Sequence, residues 1–456
     1  MRPHLVVIGG GITGLSAAWT AARHGAGFSD GCDVTVIERE AEAGGKARTH
    51  RNGGWLAEGG PAGFLSGRPA IERIIAEAEL TDEVVTANKA AAHRFVYFNS
   101  ALRRVVPNPV GLVTAGLLDV RGALRLLGEP FVPTRRSGPE ESVWDFAARR
   151  IGAQAADRLV APMTLGIYAG DAHQLSLPSA FPRMAALESE HGSLVRGLIA
   201  KRGRMATGTL TSFRDGLQTL PRELSRRGRF ATQTRRAVRA LAHDGARWSV
   251  SVEGGPALVA DAVVIAVEAW AAAPLLDGVA PPSAAALRQF DYPPVTVVSL
   301  GFAPGDASGV PNGFGVLITR GEGLRALGNL WDSQFFPSRS PSGHLLLRAM
   351  LGGAVDRDAG TLDDEAAVAL VRRELARLYG TVAAPVFSHV VRWPRAIPQY
   401  TVGHADRVRA VRDGLRAQPG LFIAGSALDG IAFADAAASG VNAAEDALRW
   451  LRTTRS

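Results

Sequence analysis

Along the first forty residues the apolar positions fall into two short unbroken runs, Leu5 to Ile8 and Val34 to Ile37, both rich in Val and Ile. Unbroken runs of that length suit strands buried on both faces, as in a parallel sheet. Leu15 to Ala22, between them, is compatible with a helix. The same reading predicts buried strands at Asp261 to Val267 and Leu421 to Gly425, and an Ala-rich helix from about Ala434 to Arg452.

Elsewhere the periodicity changes. Ile71, Ile74, Ile75 and Ala78 recur at helical spacing, and Arg94 to Phe98 reads as a strand followed by a turn at Asn99-Ser100. From Val110 to Ala206 helical patterns dominate. Trp144, Phe146, Leu159, Leu165 and Ile167 take core-like positions there, and Pro130, Pro133, Ser137, Gly138 and Pro139 mark a loop. A strand at Ala237 to Leu241, a turn at His243-Asp244-Gly245 and a strand at Trp248 to Val252 predict a hairpin. Between Pro293 and Val391, β-rich runs at Val295 to Phe302, Gly315 to Ile318, His344 to Met350 and Phe387 to Val391 accompany one long helix over Asp363 to Tyr379.

Glycines decide what the first strand serves. Gly9, Gly11 and Gly14 fill a G-x-G-x-x-G spacing between strand and helix. The first permits a tight turn, the second lets a pyrophosphate approach the backbone, and the third lets helix and strand pack closely. Glu38, at the end of the next strand, stands about 20 residues on, where a carboxylate accepts hydrogen bonds from a ribose diol. Further glycine-rich loops, Gly44-Gly45-Lys46 and Glu58-Gly59-Gly60-Pro61, suit close approach to a bulky ligand, with Lys46 near the pyrophosphate or simply solvated.

The order of these signals predicts an α/β fold with a discontinuous, Rossmann-like dinucleotide domain. Residues 1–88, 206–285 and 398–456 form that domain, 89–205 a helical domain, and 286–397 a β-rich α+β substrate domain.

Composition narrows the function classes. A 456-residue chain that is 46% hydrophobic and 21% charged is a globular protein able to bury a large core. Its net charge of +8 comes mainly from arginines in scattered pairs. No nucleic-acid-binding signature accompanies them, so no nucleic-acid partner is expected. Cys32 is the only cysteine, which excludes an internal disulfide and a multi-thiolate metal site and fits a reducing cytoplasm. The first strand begins so early that no signal peptide is expected, and no apolar run reaches the ~18 residues of a membrane span. The nearest, Pro109 to Val120, contains Asp119 and predicts a short buried or interfacial helix.

Taken together, these residues resemble the flavin-dependent protoporphyrinogen/coproporphyrinogen III oxidase family, within the amine-oxidase-like flavoproteins. The wider group is carried by the Gly9 to Gly14 turn, Glu38, Gly44-Gly45-Lys46, Glu58 to Pro61 and Phe213 to Leu217. The porphyrinogen-oxidase subset is carried by Gly166 to Asp171, Phe181-Pro182, Arg392-Trp393-Pro394 and Ile397 to His404. The resemblance implies FAD as cofactor, a porphyrinogen substrate, dioxygen as acceptor, and a helical domain lying peripherally against the inner face of a membrane. It places Arg94 at a substrate propionate, and Gly9, Gly11, Gly14, Glu38, Gly45, Lys46, Gly60, Val238, Gly425, Gly430, Ile431 and Ala432 at the cofactor. A helix N-terminus after Gly425 would favour the negative charge of a reduced flavin.

Two positions depart from the family pattern: Glu42 replaces a usual arginine, and Ser426 follows Gly425 where relatives tend to carry Asn. The chemistry expected is the flavin's own, with no catalytic side chain. His93, His173, His404, Tyr168 and Asp171 are read as structural. Protoporphyrinogen IX is the preferred substrate on the resemblance of Ala101 to Arg136, with coproporphyrinogen III as the alternative. Another amine-oxidase-like enzyme or a non-catalytic flavin- or tetrapyrrole-binding protein are the remaining readings.

Overall fold

The structure, a computed structural model, describes residues 2–25, 31–201, 208–380 and 382–455. Five parallel strands form the first sheet, in the order Ala231–Gln233, Asp33–Ile37, His4–Ile8, Ala262–Ile265 and Leu421–Ile423. His4–Ile8 is central, with Val7 opposite both Val36 and Val264. Both faces of this strand are covered, which is why its sequence is apolar without alternation.

Helix Ile12–His24 packs on this sheet beside the C-terminal helix Phe433–Arg455, which reaches the sheet through Ala443, Ala444 and Ala447, and the residues from Ile12 to Ala21 are all buried. The two helices meet at Gly440, where an added methyl would lie 1.9 Å from the Thr13 carbonyl oxygen. Only glycine permits that approach.

A second sheet has seven strands, in the order Phe387–Trp393, Val295–Phe302, Leu345–Gly352, Ala326–Leu330, Gly315–Ile318, Arg94–Phe98 and Ala101–Arg104. All neighbours are antiparallel except Gly315–Ile318 with Arg94–Phe98. Helix Asp364–Tyr379 packs one face through Leu370, Val371, Leu375 and Leu378 against Val298, Leu300 and Leu347. Asp363 caps the helix by accepting the Ala366 N–H.

Three expectations are corrected here. The hairpin Arg94–Arg104, assigned by sequence to the helical domain of 89–205, is part of the seven-stranded sheet, and the helices begin only at Pro109. The expected helix at Pro109 to Val120 is two, Pro109–Thr114 and Val120–Leu127. Asp119 is no intruding charge, because it caps the second helix by accepting the Gly122 N–H at 2.7 Å. Ile167, placed in the core by its spacing, is 45% exposed on helix Ala161–Tyr168, whose Leu165 and Tyr168 are buried instead.

Within the helical region Glu129 and Arg150 are fully buried together. The Glu129 carboxylate also accepts the Leu194 and Val195 N–H groups and the Ser193 hydroxyl, so helix Leu194–Ala200 is fixed beside the 129–131 turn.

Candidate active site

The glycine turns gather at the C-terminal edge of the parallel sheet, where an open α/β fold leaves its crevice. Gly9 has φ +108, and a methyl there would lie 2.7 Å from the Ala266 carbonyl oxygen. At Gly14 it would lie 1.9 Å from the Gly9 oxygen. Gly11 is different: the nearest atom to a methyl would be Gly45 Cα at 4.0 Å, so this backbone faces open space. It precedes helix Ile12–His24, whose N-terminus has no side-chain cap and leaves its first N–H groups available to an anion. The Gly44 N–H donates to the Gly10 carbonyl at 2.8 Å and backs the second glycine loop onto the first.

Glu38 is buried at the end of its strand, with Oε2 accepting the Gly10 N–H at 2.6 Å and Oε1 the Glu40 N–H at 2.7 Å. A carboxylate oxygen accepts more than one hydrogen bond, so capacity remains for a ribose diol. The Arg236 N–H donates to the Glu38 carbonyl at 2.9 Å and brings the strand beginning at Val238 beside it. Gly425, φ +138, lies beyond the edge strand with open space where a side chain would be. Its N–H donates to Ser439 Oγ. Gly430 ends the short helix Ser426–Asp429, Ile431 packs among Tyr168, Phe181 and Tyr400, and Ala432 is exposed.

Lys46 is held by groups from distant parts of the chain. Its ammonium does not lie free over the first turn; it donates to Glu268 Oε1 and to the Ala396 carbonyl, with the Tyr292 ring 5.6 Å away. Burial and the neighbouring Glu268 push the Tyr292 phenol well above 10. The other Glu268 oxygen is buried and takes no hydrogen bond among the described residues.

Facing these loops is the seven-stranded sheet. The Trp393 indole donates to the Gly59 carbonyl at 2.6 Å, and Arg348 Nη1 donates to the Gly60 carbonyl at 2.6 Å. Arg348 is 1% exposed, and its Nε lies 2.8 Å from Asp332 Oδ2. A second buried pair, Arg339 with Glu58 at 3.5 Å, lies beside it. Burial raises the Glu58 carboxyl above its usual value, opposed by Arg339, while burial lowers the Arg339 guanidinium. Sequence reasoning missed Arg348, Asp332 and Glu268. Arg348 had a signal, as the one charge inside the apolar run from Leu345 to Leu351.

On the same sheet, alternation turns Arg94 and Val96 to one face and Phe95 and Tyr97 to the other. Val96 packs on Leu112, Leu117 and Leu118 of the helical region, whereas Tyr97 joins the core beneath helix Asp364–Tyr379. Arg94 therefore opens on the side shared by sheet and helices, exposed, with its guanidinium 5.4 Å from the Phe314 ring. No carboxylate pairs with it among the described residues. Helix Ala161–Tyr168 closes that side, with Leu165 and Ala169 against Val295, Val297 and Leu327 and with Leu317 filling the space beside Gly166.

The family model for flavin-containing amine oxidoreductases matches residues 12–448. The chain belongs to that family. This flavin-containing amine oxidoreductase is an oxidoreductase enzyme with FAD as its cofactor, and the open backbone at Gly11 and Gly425 together with Glu38 fits that dinucleotide. It is 30% identical over 468 residues to the coproporphyrinogen III oxidase of Bacillus subtilis (strain 168), covering 99% of each chain. Over 461 residues it is 33% identical to the chloroplastic protoporphyrinogen oxidase of Oryza sativa subsp. japonica, covering 94% of this chain and 84% of that one. A solved structure from Exiguobacterium sp. 255-15, provisionally named a protoporphyrinogen oxidase, superposes with a TM-score of 0.86 at 25% identity, over 98% of this chain and 99% of that one. The α/β fold with its parallel sheet, the flavin cofactor and the family expected from sequence all agree with these findings.

Proposed function

We propose that this flavoenzyme oxidises protoporphyrinogen IX to protoporphyrin IX with dioxygen as acceptor, in porphyrin biosynthesis. The observation that carries the reading is Arg94, an exposed cation with no carboxylate partner among the described residues, on the side of the sheet where Val295, Val297 and Leu327 form an apolar wall with helix Ala161–Tyr168. A tetrapyrrole is a broad apolar ring with anionic propionates at its edge, and such a wall with one edge cation matches it. FAD, when bound, would supply the hydride acceptor, and the full conversion requires three two-electron oxidations, each removing a hydride and a proton from the porphyrinogen and passing the electron pair to one dioxygen to give hydrogen peroxide. The protein's part is to orient the ring, exclude water and hold a propionate at Arg94. FAD is held by Gly9, Gly11, Gly14, Gly45, Gly60, Val238 and the Gly425 to Ala432 segment, with Glu38 on the ribose.

Coproporphyrinogen III is the second reading, favoured by the 99% mutual coverage with the Bacillus subtilis relative. Purified yellow protein is assayed with each porphyrinogen in parallel by porphyrin fluorescence. A higher kcat/KM with protoporphyrinogen supports the first reading, and the reverse order supports the second. If neither substrate bleaches the flavin without air, both readings are overturned.

The site of work is the cytoplasm, on the inner surface of the cell membrane. No helix among the described residues is long and apolar enough to cross a bilayer. Attachment is peripheral, through a face on which Val110, Val120, Leu124, Leu127 and Phe131 are 57–84% exposed. Ile199, on the helix tied to the 129–131 turn, is 67% exposed. Arg121 and Arg196 are exposed on the same helices, which suits anionic lipid.

A further inference from the structure

The segment after Gly425, which the FAD assignment sets beside the flavin, is held by a residue from another part of the chain. The Tyr400 hydroxyl donates to the Ser426 carbonyl at 2.5 Å and accepts the Gly430 N–H at 2.8 Å. One oxygen thus closes both ends of the short helix Ser426–Asp429. A phenol donates once and accepts freely, so these two bonds use its donor and satisfy one backbone group at each end. The opposite side of the same turn has its own clasp. Ser439 Oγ accepts the Gly425 N–H at 2.9 Å and donates to Asp429 Oδ2 at 2.5 Å, while Arg412 pairs with Asp429.

The Tyr400 ring cannot swing away. His404 stacks on it at 3.8 Å and 20°, and the Tyr168 ring lies 5.8 Å from it. Its backbone is pinned as well. The Tyr400 carbonyl accepts the Ser176 N–H at 2.8 Å, Thr401 bridges to Leu175, and the neighbouring Gln399 amide donates to the Tyr168 carbonyl. Residues 168 and 175–176 belong to the helical region whose Leu165 and Ala169 close the site opposite the seven-stranded sheet. Burial, with Asp429 and Asp435 nearby, raises the phenol far above its ordinary value, so it stays an O–H donor at any working pH.

We propose that Tyr400 is a positioning residue for the flavin: by joining Ser426 to Gly430 it sets how closely the Gly425 to Ala432 backbone approaches the flavin ring. It also ties that approach to the helical wall of the substrate side. The inference rests on the FAD assignment and is independent of which porphyrinogen, if any, is the substrate.

Tyr400→Phe removes one oxygen and keeps the ring. The expected result is a folded flavoprotein with shifted visible flavin bands, an altered flavin midpoint potential, and an FAD dissociation constant raised about tenfold, the effect of one or two lost hydrogen bonds. On turnover kcat falls while KM holds. Tyr168→Phe is the comparison, since its hydroxyl donates to the Ala180 carbonyl at 2.9 Å and makes no hydrogen bond to residues 425–432 among the described residues. It lowers the melting temperature without moving the flavin bands. Ser439→Ala opens the opposite clasp and decides the matter if Tyr400→Phe does not fold, with a band shift expected. Flavin bands, potential and FAD affinity in Tyr400→Phe and Ser439→Ala that match those of Tyr168→Phe would overturn the proposal.

Discussion

His404 makes the fold acid-sensitive by a definable amount. It is 3% exposed, stacked on Tyr400 and edge-on to Phe290, and neither ring nitrogen has a hydrogen-bond partner among the described residues. Burial, with the Arg407 charge adding to it, pushes the imidazole down from 6.5 to about 4. In the unfolded chain the ring takes its proton near pH 6.5, so between there and about pH 4 the unfolded state binds more protons than the folded one. The contribution of His404 is therefore complete above about pH 6.5 and is lost as pH falls through 4, with a ceiling of about 3 kcal/mol. His404→Phe keeps a flat ring against Tyr400 and removes the titration. Urea unfolding followed by tryptophan fluorescence, in steps from about pH 7 to pH 4, should show wild type losing up to about 3 kcal/mol more than the variant. Parallel stability curves for the two proteins would refute the reasoning.

Two further outcomes are expected. Arg348→Met strands Asp332, which is 2% exposed, and frees the Gly60 carbonyl, so urea unfolding at neutral pH should show a loss of about 3–5 kcal/mol, with Arg348→Met/Asp332→Asn recovering part of it. Leu124→Asp with Phe131→Asp should leave the melting temperature unchanged, because both side chains are more than half exposed, and should abolish sedimentation with vesicles containing anionic lipid.

The parts of the fold that were legible in the sequence are those whose causes are local. The runs from Leu5 to Ile8 and Val34 to Ile37 are buried on both faces, and the glycine spacing between them is dictated by one turn. The helix predicted over Asp363 to Tyr379 occurs as Asp364–Tyr379, with Asp363 at its cap. Pairing of Arg94–Phe98 with Gly315–Ile318 joins strands more than 200 residues apart, and nothing in either strand names its partner. Helix Ala161–Tyr168 is apolar on every side, so periodicity could not say that Leu165 faces inward and Ile167 outward. Lys46 was recognisable as a charge beside a glycine loop, but its partner Glu268 lies 222 positions away.

These distant partners share a physical reason. The Gly59-Gly60 turn, proposed above to hold the cofactor, follows the end of strand Trp55–Glu58, and among the described residues no ladder or helix N–H donates to its carbonyls. Buried carbonyls left unpaired cost about 1–3 kcal/mol each. The facing sheet supplies the missing donors, Trp393 for Gly59 and Arg348 for Gly60, and each donor is locked in turn: Arg348 by Asp332, and Trp393 by its place on strand Phe387–Trp393. Hydrogen bonds of this kind are directional, whereas apolar contact tolerates sliding. The Gly59-Gly60 turn and the seven-stranded sheet are therefore held in one relative orientation by the same groups that satisfy the turn's carbonyls.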